Sequence, residues 1–246
     1  MIERLARSPI AVAALVIAAA GAGAGATWLW QHGSDGGDRA RIERIVHDYV
    51  LDHPEILPQA MRNLQDRETG QVIAANRDQI FTPLASAWAG NPDPDLTIVE
   101  YFDYNCGFCR ASLPTIADLL QRDRKLRIVF RELPVLSQAS DVAARLSIVA
   151  ARAGKFGAFH EALYKGGPLS DATMDAALRT AGLDPAKVRA EAQDPSVETE
   201  IKTNYAVAKQ LGITGTPSWV IGDHVVSAAL PLDELEKEIA KARARG

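Results

Sequence analysis

Apolar and polar positions alternate with different periods in different parts of the chain. Ser8 to Trp30 is an uncharged, largely apolar run, preceded by Arg4 and Arg7. Between residues 39 and 90 the spacing is helical. Ile42, Ile45, Val46, Tyr49 and Val50 share one face, and Ile56, Leu57, Ala60, Met61 and Leu64 a second. Val72, Ile73, Ile80, Phe81, Leu84 and Trp88 fall partly in register on a third. This predicts three short helices, with Asp52-His-Pro-Glu55 as a stop and restart and Pro83 as a kink. Narrow apolar stripes of this kind build no core alone, so they must dock on another domain or on each other across subunits.

Beyond the turn cluster Gly90-Asn-Pro-Asp-Pro-Asp95 the pattern changes, and a domain over 91–246 is predicted. Leu96–Phe102 has the β-branched and aromatic content of a buried strand, 107–122 reads as a helix and 127–131 as a second strand. A strand, helix, strand start implies a parallel pair with a right-handed crossover, and hence an α/β fold. A helical block over about 137–197 follows, then a helix over 201–211. Strands over 218–221 and 225–227 form a hairpin round Gly222-Asp-His224, and a helix over 231–244 ends the domain.

A chain of 246 residues with 47% hydrophobic content is long enough for a full core and an appendage. The net charge of −4, with scattered Lys and Arg, gives no reason to expect nucleic acid as a partner. Residues 1–30 read as an export signal in one of two forms, with 31–38 as a Gly- and Asp-containing linker. Ala24-Gly-Ala26 fits a cleavage site. The length of the run over residues 9–30 and its Trp28-Leu-Trp30 end fit an uncleaved inner-membrane anchor, favoured because the apolar run continues past the cleavage pattern. Either form exports the remainder to an oxidising compartment, the periplasm or cell envelope.

The two cysteines of the chain, Cys106 and Cys109, stand three residues apart where the first strand hands over to a helix. There Cys106 meets the unpaired N–H groups and positive dipole end of the helix, which favour a thiolate. Cys109, one turn further in, is placed to resolve a mixed disulfide. Half of a zinc site is the competing reading, but zinc usually takes four ligands, and no second Cys pair or suitably spaced His supplies them. Two unrelated buried cysteines are the other, against which the strand-then-helix context speaks.

With Glu100 six residues before Cys106, Gly215-Thr216-Pro217 late in the chain and Phe130-Arg-Glu-Leu-Pro-Val-Leu136 after the second strand, the sequence resembles the DsbA-like thioredoxin-fold oxidoreductases of the bacterial envelope. It most resembles their ScsC-like branch, which carries a helical segment before the catalytic domain. The resemblance implies a thioredoxin fold with an inserted helical domain, preceded by an N-terminal helical segment. It makes Glu100 a buried acid serving Cys109 and puts a cis-proline loop at Gly215, Thr216 and Pro217 that holds extended peptide. Gly107 and Phe108 tune the pair. No metal or cofactor is expected beyond the Cys106–Cys109 disulfide itself.

The resemblance further implies exported protein substrates, a membrane redox partner that resets the cysteines, and a homo-oligomer, dimer or trimer, assembled through residues 39–90. Disulfide reshuffling or reduction is the favoured activity. A dithiol oxidase of DsbA type is the alternative, and a Cu(I)-binding envelope protein using both sulfurs as soft ligands is an alternative of another class.

Overall fold

The computed structural model describes residues 9–245, with no side chains for residues 9, 11 and 29–38. Two compact units divide at Asn63 and Leu64. In the first, helix α1 (Pro9–Asp52) runs for 44 residues straight through 31–38, where a linker is expected. Glycine lowers helix propensity by about 1 kcal/mol without removing a backbone donor, and the stretch has no proline, so the ladder can continue. The break comes at His53 and Pro54, as the sequence predicts. Helix α2 (Ile56–Ala75) starts beyond it.

Among the described residues no helix is long and apolar enough to cross a membrane, so the anchor reading gains no support. Arg4 and Arg7, on which its orientation rests, lie outside them.

The second unit begins at Leu64, well before the expected boundary at residue 91. Helices α2 and α3 (Arg77–Phe81) carry Ile73 and Ile80, both buried in its core. Pro83 ends a helix here and does not kink one, because the residue before a proline avoids the helical region and Thr82 is already extended at φ −79°, ψ 118°. Trp88, predicted at a helix end, lies in strand β1 (Trp88–Gly90). Gly90 has φ +101°, and a Cβ there would sit 2.4 Å from the Leu126 carbonyl oxygen, so only glycine fits this edge.

Strands β2 (Leu96–Phe102), β3 (Leu126–Glu132), β4 (Ser218–Ile221) and β5 (His224–Val226) complete a sheet of order β1-β3-β2-β4-β5. The central pair β2 and β3 is parallel, in register from Leu96 opposite Leu126 to Phe102 opposite Glu132. The other pairs are antiparallel. Side chains alternate across this sheet. Ile98, Phe102, Ile128 and Phe130 enter one core cluster, Val99, Tyr101 and Val129 the other.

Helix α4 (Gly107–Arg122) is the crossover between β2 and β3. Four helices follow β3: α5 (Gln138–Arg152), α6 (Phe156–Lys165), α7 (Asp171–Thr180) and α8 (Pro185–Glu191). Ser137, Ser170 and Asp184 cap α5, α7 and α8 by accepting from backbone N–H groups. Helix α9 (Pro195–Gln210) leads back to β4, and α10 (Leu232–Arg245) closes the unit. This is a thioredoxin fold with an inserted helical domain, as the resemblance implies.

Arg131 fastens the entry of the chain to this unit. Its buried guanidinium donates to the carbonyls of Ile80 and Thr82 and pairs with Glu200 at 3.0 Å.

Candidate active site

Strand β2 ends at Phe102 and helix α4 starts at Gly107, so the four residues 103–106 carry the chain from the strand into the Cys-x-x-Cys segment. Asp103 shapes that turn. Its Oδ1 accepts from the Asn105 N–H at 2.7 Å, and its backbone oxygen accepts from the Cys106 N–H at 3.0 Å. Its Oδ2 accepts from the Leu136 N–H at 2.9 Å, which ties the loop after β3 to the site. An Asx turn before a helix is readable in the letters Asp103-Tyr-Asn105, and the sequence reading missed it.

Cys106 is the N-cap of α4, with φ −80° and ψ 114°, and its Sγ accepts from the Cys109 N–H at 3.4 Å. An anion at this sulfur is held by an orphan helix donor. The Cys106 thiol donates to the Thr216 carbonyl at 3.2 Å, so the late loop lies against the pair. The Thr216–Pro217 peptide is cis, and Gly215 accepts from the Ser218 hydroxyl at 2.8 Å. Both cysteines are free. They are 5% and 2% exposed, so exposure alone separates their roles only weakly; their positions relative to the helix end separate them better. Phe108 is 67% exposed beside them, and Gly107 is the first residue of α4.

Glu100 lies beneath, 2% exposed on the strand that ends at the site. Burial pushes its carboxyl from 4.5 up to about 8, and the Cys106 sulfur adds to the rise. Burial, with Glu100 next in size, pushes the Cys109 thiol far above its ordinary value. The two groups therefore compete for protons, which suits an acid and a nucleophile that exchange one.

A buried polar network that no periodicity could indicate surrounds them. The Tyr164 hydroxyl donates to the Asp103 carbonyl at 3.0 Å. Tyr104 Oη lies 2.9 Å from Ser147 Oγ and 3.2 Å from His160 Nδ1. Enclosed by Phe102, Phe130, Phe156 and Tyr164, His160 is held down to about 3 by burial. Glu132, also buried and pushed well up, shares the sheet face of Glu100 by the β2–β3 register. His224 is remote from this set and bonds Glu238 through Nε2 at 2.9 Å. Among the described residues no three His, Cys, Asp or Glu gather where a metal ion could be held.

A Cys-x-x-Cys dithiol at a helix N-terminus, a cis-proline loop against its outer sulfur and a buried acid below define a thioredoxin-fold protein of the dithiol–disulfide class. Residues 97–240 match the family model of the DSBA-like thioredoxin domain, and the chain belongs to that family. Residues 38–70 match that of the copper resistance protein ScsC N-terminal domain.

Among solved structures, a thioredoxin-like oxidoreductase from Silicibacter pomeroyi DSS-3 is 36% identical, with 69% of this chain and 98% of that one covered and a TM-score of 0.65. A periplasmic thioredoxin-like protein from Salmonella enterica serovar Typhimurium is 29% identical, covering 68% and 95%, at a TM-score of 0.62. A linker-deletion mutant of Proteus mirabilis ScsC, 24% identical, covers 85% of this chain and 96% of its own at a TM-score of 0.69, a likeness of fold. The chain spans 24% of the length of the curated relative it matches, Na(+)/H(+) antiporter NhaA 1 of Salinispora arenicola (strain CNS-205), at 25% identity over 156 residues.

Proposed function

We propose that the protein is a periplasmic thiol:disulfide oxidoreductase that reduces or reshuffles disulfides in exported proteins. The observation that carries this is Cys106 Sγ, bonded to the first turn of α4 and to Thr216, above a deeper Cys109 whose neighbour Glu100 holds its proton up to about 8.

In the reductive direction the Cys106 thiolate attacks one client sulfur. A Cys106–client bond forms as the client disulfide breaks, and the second client sulfur leaves as thiolate. Cys109, giving its proton to the Glu100 carboxylate, then attacks Cys106 Sγ. The client leaves as a dithiol, two electrons richer, and the pair becomes a disulfide that a membrane redox partner reduces again. When the departing client thiolate instead attacks another client disulfide, it forms a new disulfide and frees a third client thiolate. That thiolate attacks the client sulfur of the mixed disulfide, Cys106 leaves as thiolate, and the outcome is isomerisation with no net change in oxidation state. Gly215, Thr216 and Pro217 hold the client backbone in extended form, and Phe108 meets its apolar side chains.

Assembly through the N-terminal helical segment belongs to this reading. Ile42, Ile45, Val46 and Tyr49 are 55–59% exposed in the single chain, a contiguous apolar face that copies of itself cover in a dimer or trimer. Several Cys106 sites round one client raise the effective concentration of the second thiol.

Refolding assays discriminate the directions. Faster recovery of a scrambled disulfide protein than of a reduced one supports reshuffling, and the reverse order establishes a dithiol oxidase. A second reading draws on the copper-resistance description of the N-terminal match: Cys106 and Cys109 as two soft ligands for Cu(I). One copper per chain retained through purification, and lost in Cys106→Ser, supports it.

A further inference from the structure

Helices α4 and α6 and strand β1 enclose a half-open trough of about 570 Å³, a volume in the range of small-molecule sites. Its floor is apolar, formed by Leu113, Ala117, Leu120, Phe156 and Trp88. Its charges gather at one end. Arg110 and Lys165 meet there, because Arg110 Nη2 donates to the Gly167 carbonyl at 2.9 Å just past the end of α6. Lys165 is paired with Glu161, whereas Arg110 has no carboxylate partner among the described residues. At the opposite end Phe156, whose N–H donates to Ser86 Oγ, approaches β1. From Arg110 to Leu120 the trough follows α4 for roughly 15 Å. His160 also lines it, and the Nε2 of this buried ring has no hydrogen-bond partner among the described residues.

We infer that this trough binds an amphiphilic monocarboxylate with a linear apolar body, such as a medium-chain fatty acid, its carboxylate on Arg110 and its tail running along α4 toward Trp88. Charge complementarity orients the ligand, since an unpaired guanidinium above an apolar floor favours an anionic head with its hydrocarbon behind. The free donors of the guanidinium receive the carboxylate oxygens. The apolar floor, not a second charge, then supplies most of the affinity. The site is separate from the client loop at Thr216, and it places a ligand against the helix that carries both cysteines.

Gly157 supplies the test. A Cβ added there meets nothing within 4 Å, so Gly157→Leu fills the trough from α6 while raising helix propensity. The full chain is incubated with a dodecanoate that carries a photo-reactive diazirine in its tail, and labelled peptides are mapped by mass spectrometry. The expected labels fall within 107–122 and 156–165, drop at least fivefold in Gly157→Leu, and drop several-fold in Arg110→Gln. Labelling by the matching dodecanol derivative is weaker and indifferent to Arg110→Gln.

Labels confined to other segments, such as the exposed apolar face of α1, overturn the site. So does unchanged labelling in a Gly157→Leu protein with normal circular dichroism. If that variant does not fold, Arg110→Gln decides: acid labelling equal to wild type overturns the inference, and a selective loss of acid labelling upholds it.

Discussion

Replacing Glu100 by Gln removes a buried acid without changing the volume of the site, and the consequence can be worked through in pH. In the folded protein the carboxyl titrates at about 8 against an ordinary 4.5, burial being the main cause. Folding therefore favours the protonated form. Below pH 4.5 the group is protonated in both states and costs nothing by this route. As pH rises from 4.5 to about 8 the unfolded chain ionises while the folded one does not, and stability falls by about 1.4 kcal/mol per pH unit. The full loss is on the order of 5 kcal/mol, reached near pH 8.

Glu100→Gln cannot ionise. Urea melts of the reduced protein should thus show similar stability for variant and wild type at pH 4.5, and a variant more stable by several kcal/mol at pH 8. The gain at alkaline pH has a kinetic counterpart. Resolution of a Cys106 mixed disulfide by Cys109 should accelerate through pH 8 in the wild type and lose that inflection in the variant, because the buried base is gone. Parallel stability curves between pH 5 and 8 would show that the carboxyl is solvated and would remove Glu100 from the mechanism.

Three further outcomes are expected. Limited alkylation of the reduced protein, read by mass spectrometry, should modify Cys106 before Cys109, since burial and Glu100 hold the Cys109 proton; the opposite order refutes the assignment of attacking and resolving sulfurs. A chain starting at Leu64 should fold and sediment as a monomer, while one starting at Asn91 should melt many degrees lower, having lost β1, Ile73 and Ile80; equal melting of the two would place the domain boundary back at residue 91. Arg131→Met should lower stability by roughly 3 kcal/mol in chemical denaturation, because the carbonyls of Ile80 and Thr82 and the Glu200 carboxylate lose their shared donor; a change under about 0.5 kcal/mol would make that clamp incidental.

The elements that carry a strong local signal were legible in the letters. The run Leu96–Phe102, the helical spacing beyond Gly107 and the Cys pair between them locate the site without any structure. Glu100 and the Thr216-Pro217 pair came from resemblance alone. Strand β1 escaped because three residues, two half-buried and one exposed, make no period, and Trp88 fitted a helical stripe equally well. The continuity of α1 through 31–38 escaped because glycine weakens a helix statistically without forbidding it. Asp103, Tyr104, His160 and Tyr164 escaped for a different reason. Their meeting depends on how the inserted helices fold back on the strand end, with Tyr104 and Ser147 brought together across 43 positions of sequence.

That meeting bears on how this fold can change over evolutionary time. An inserted domain joined only by its two ends could be exchanged for another without disturbing its host. Here Tyr164 of α6 holds the Asp103 carbonyl, whose residue shapes the turn into Cys106, and Ser147 of α5 holds Tyr104. The insertion is therefore not a removable module. A transplant of residues 138–191 from a relative must bring a donor to the Asp103 carbonyl and a partner to the Tyr104 hydroxyl, or leave that carbonyl with the Cys106 N–H alone and the Tyr104 hydroxyl buried without the Ser147 and His160 it now meets. Host and insert are constrained to drift together, and a chimera that ignores these two contacts should fail at the turn before Cys106.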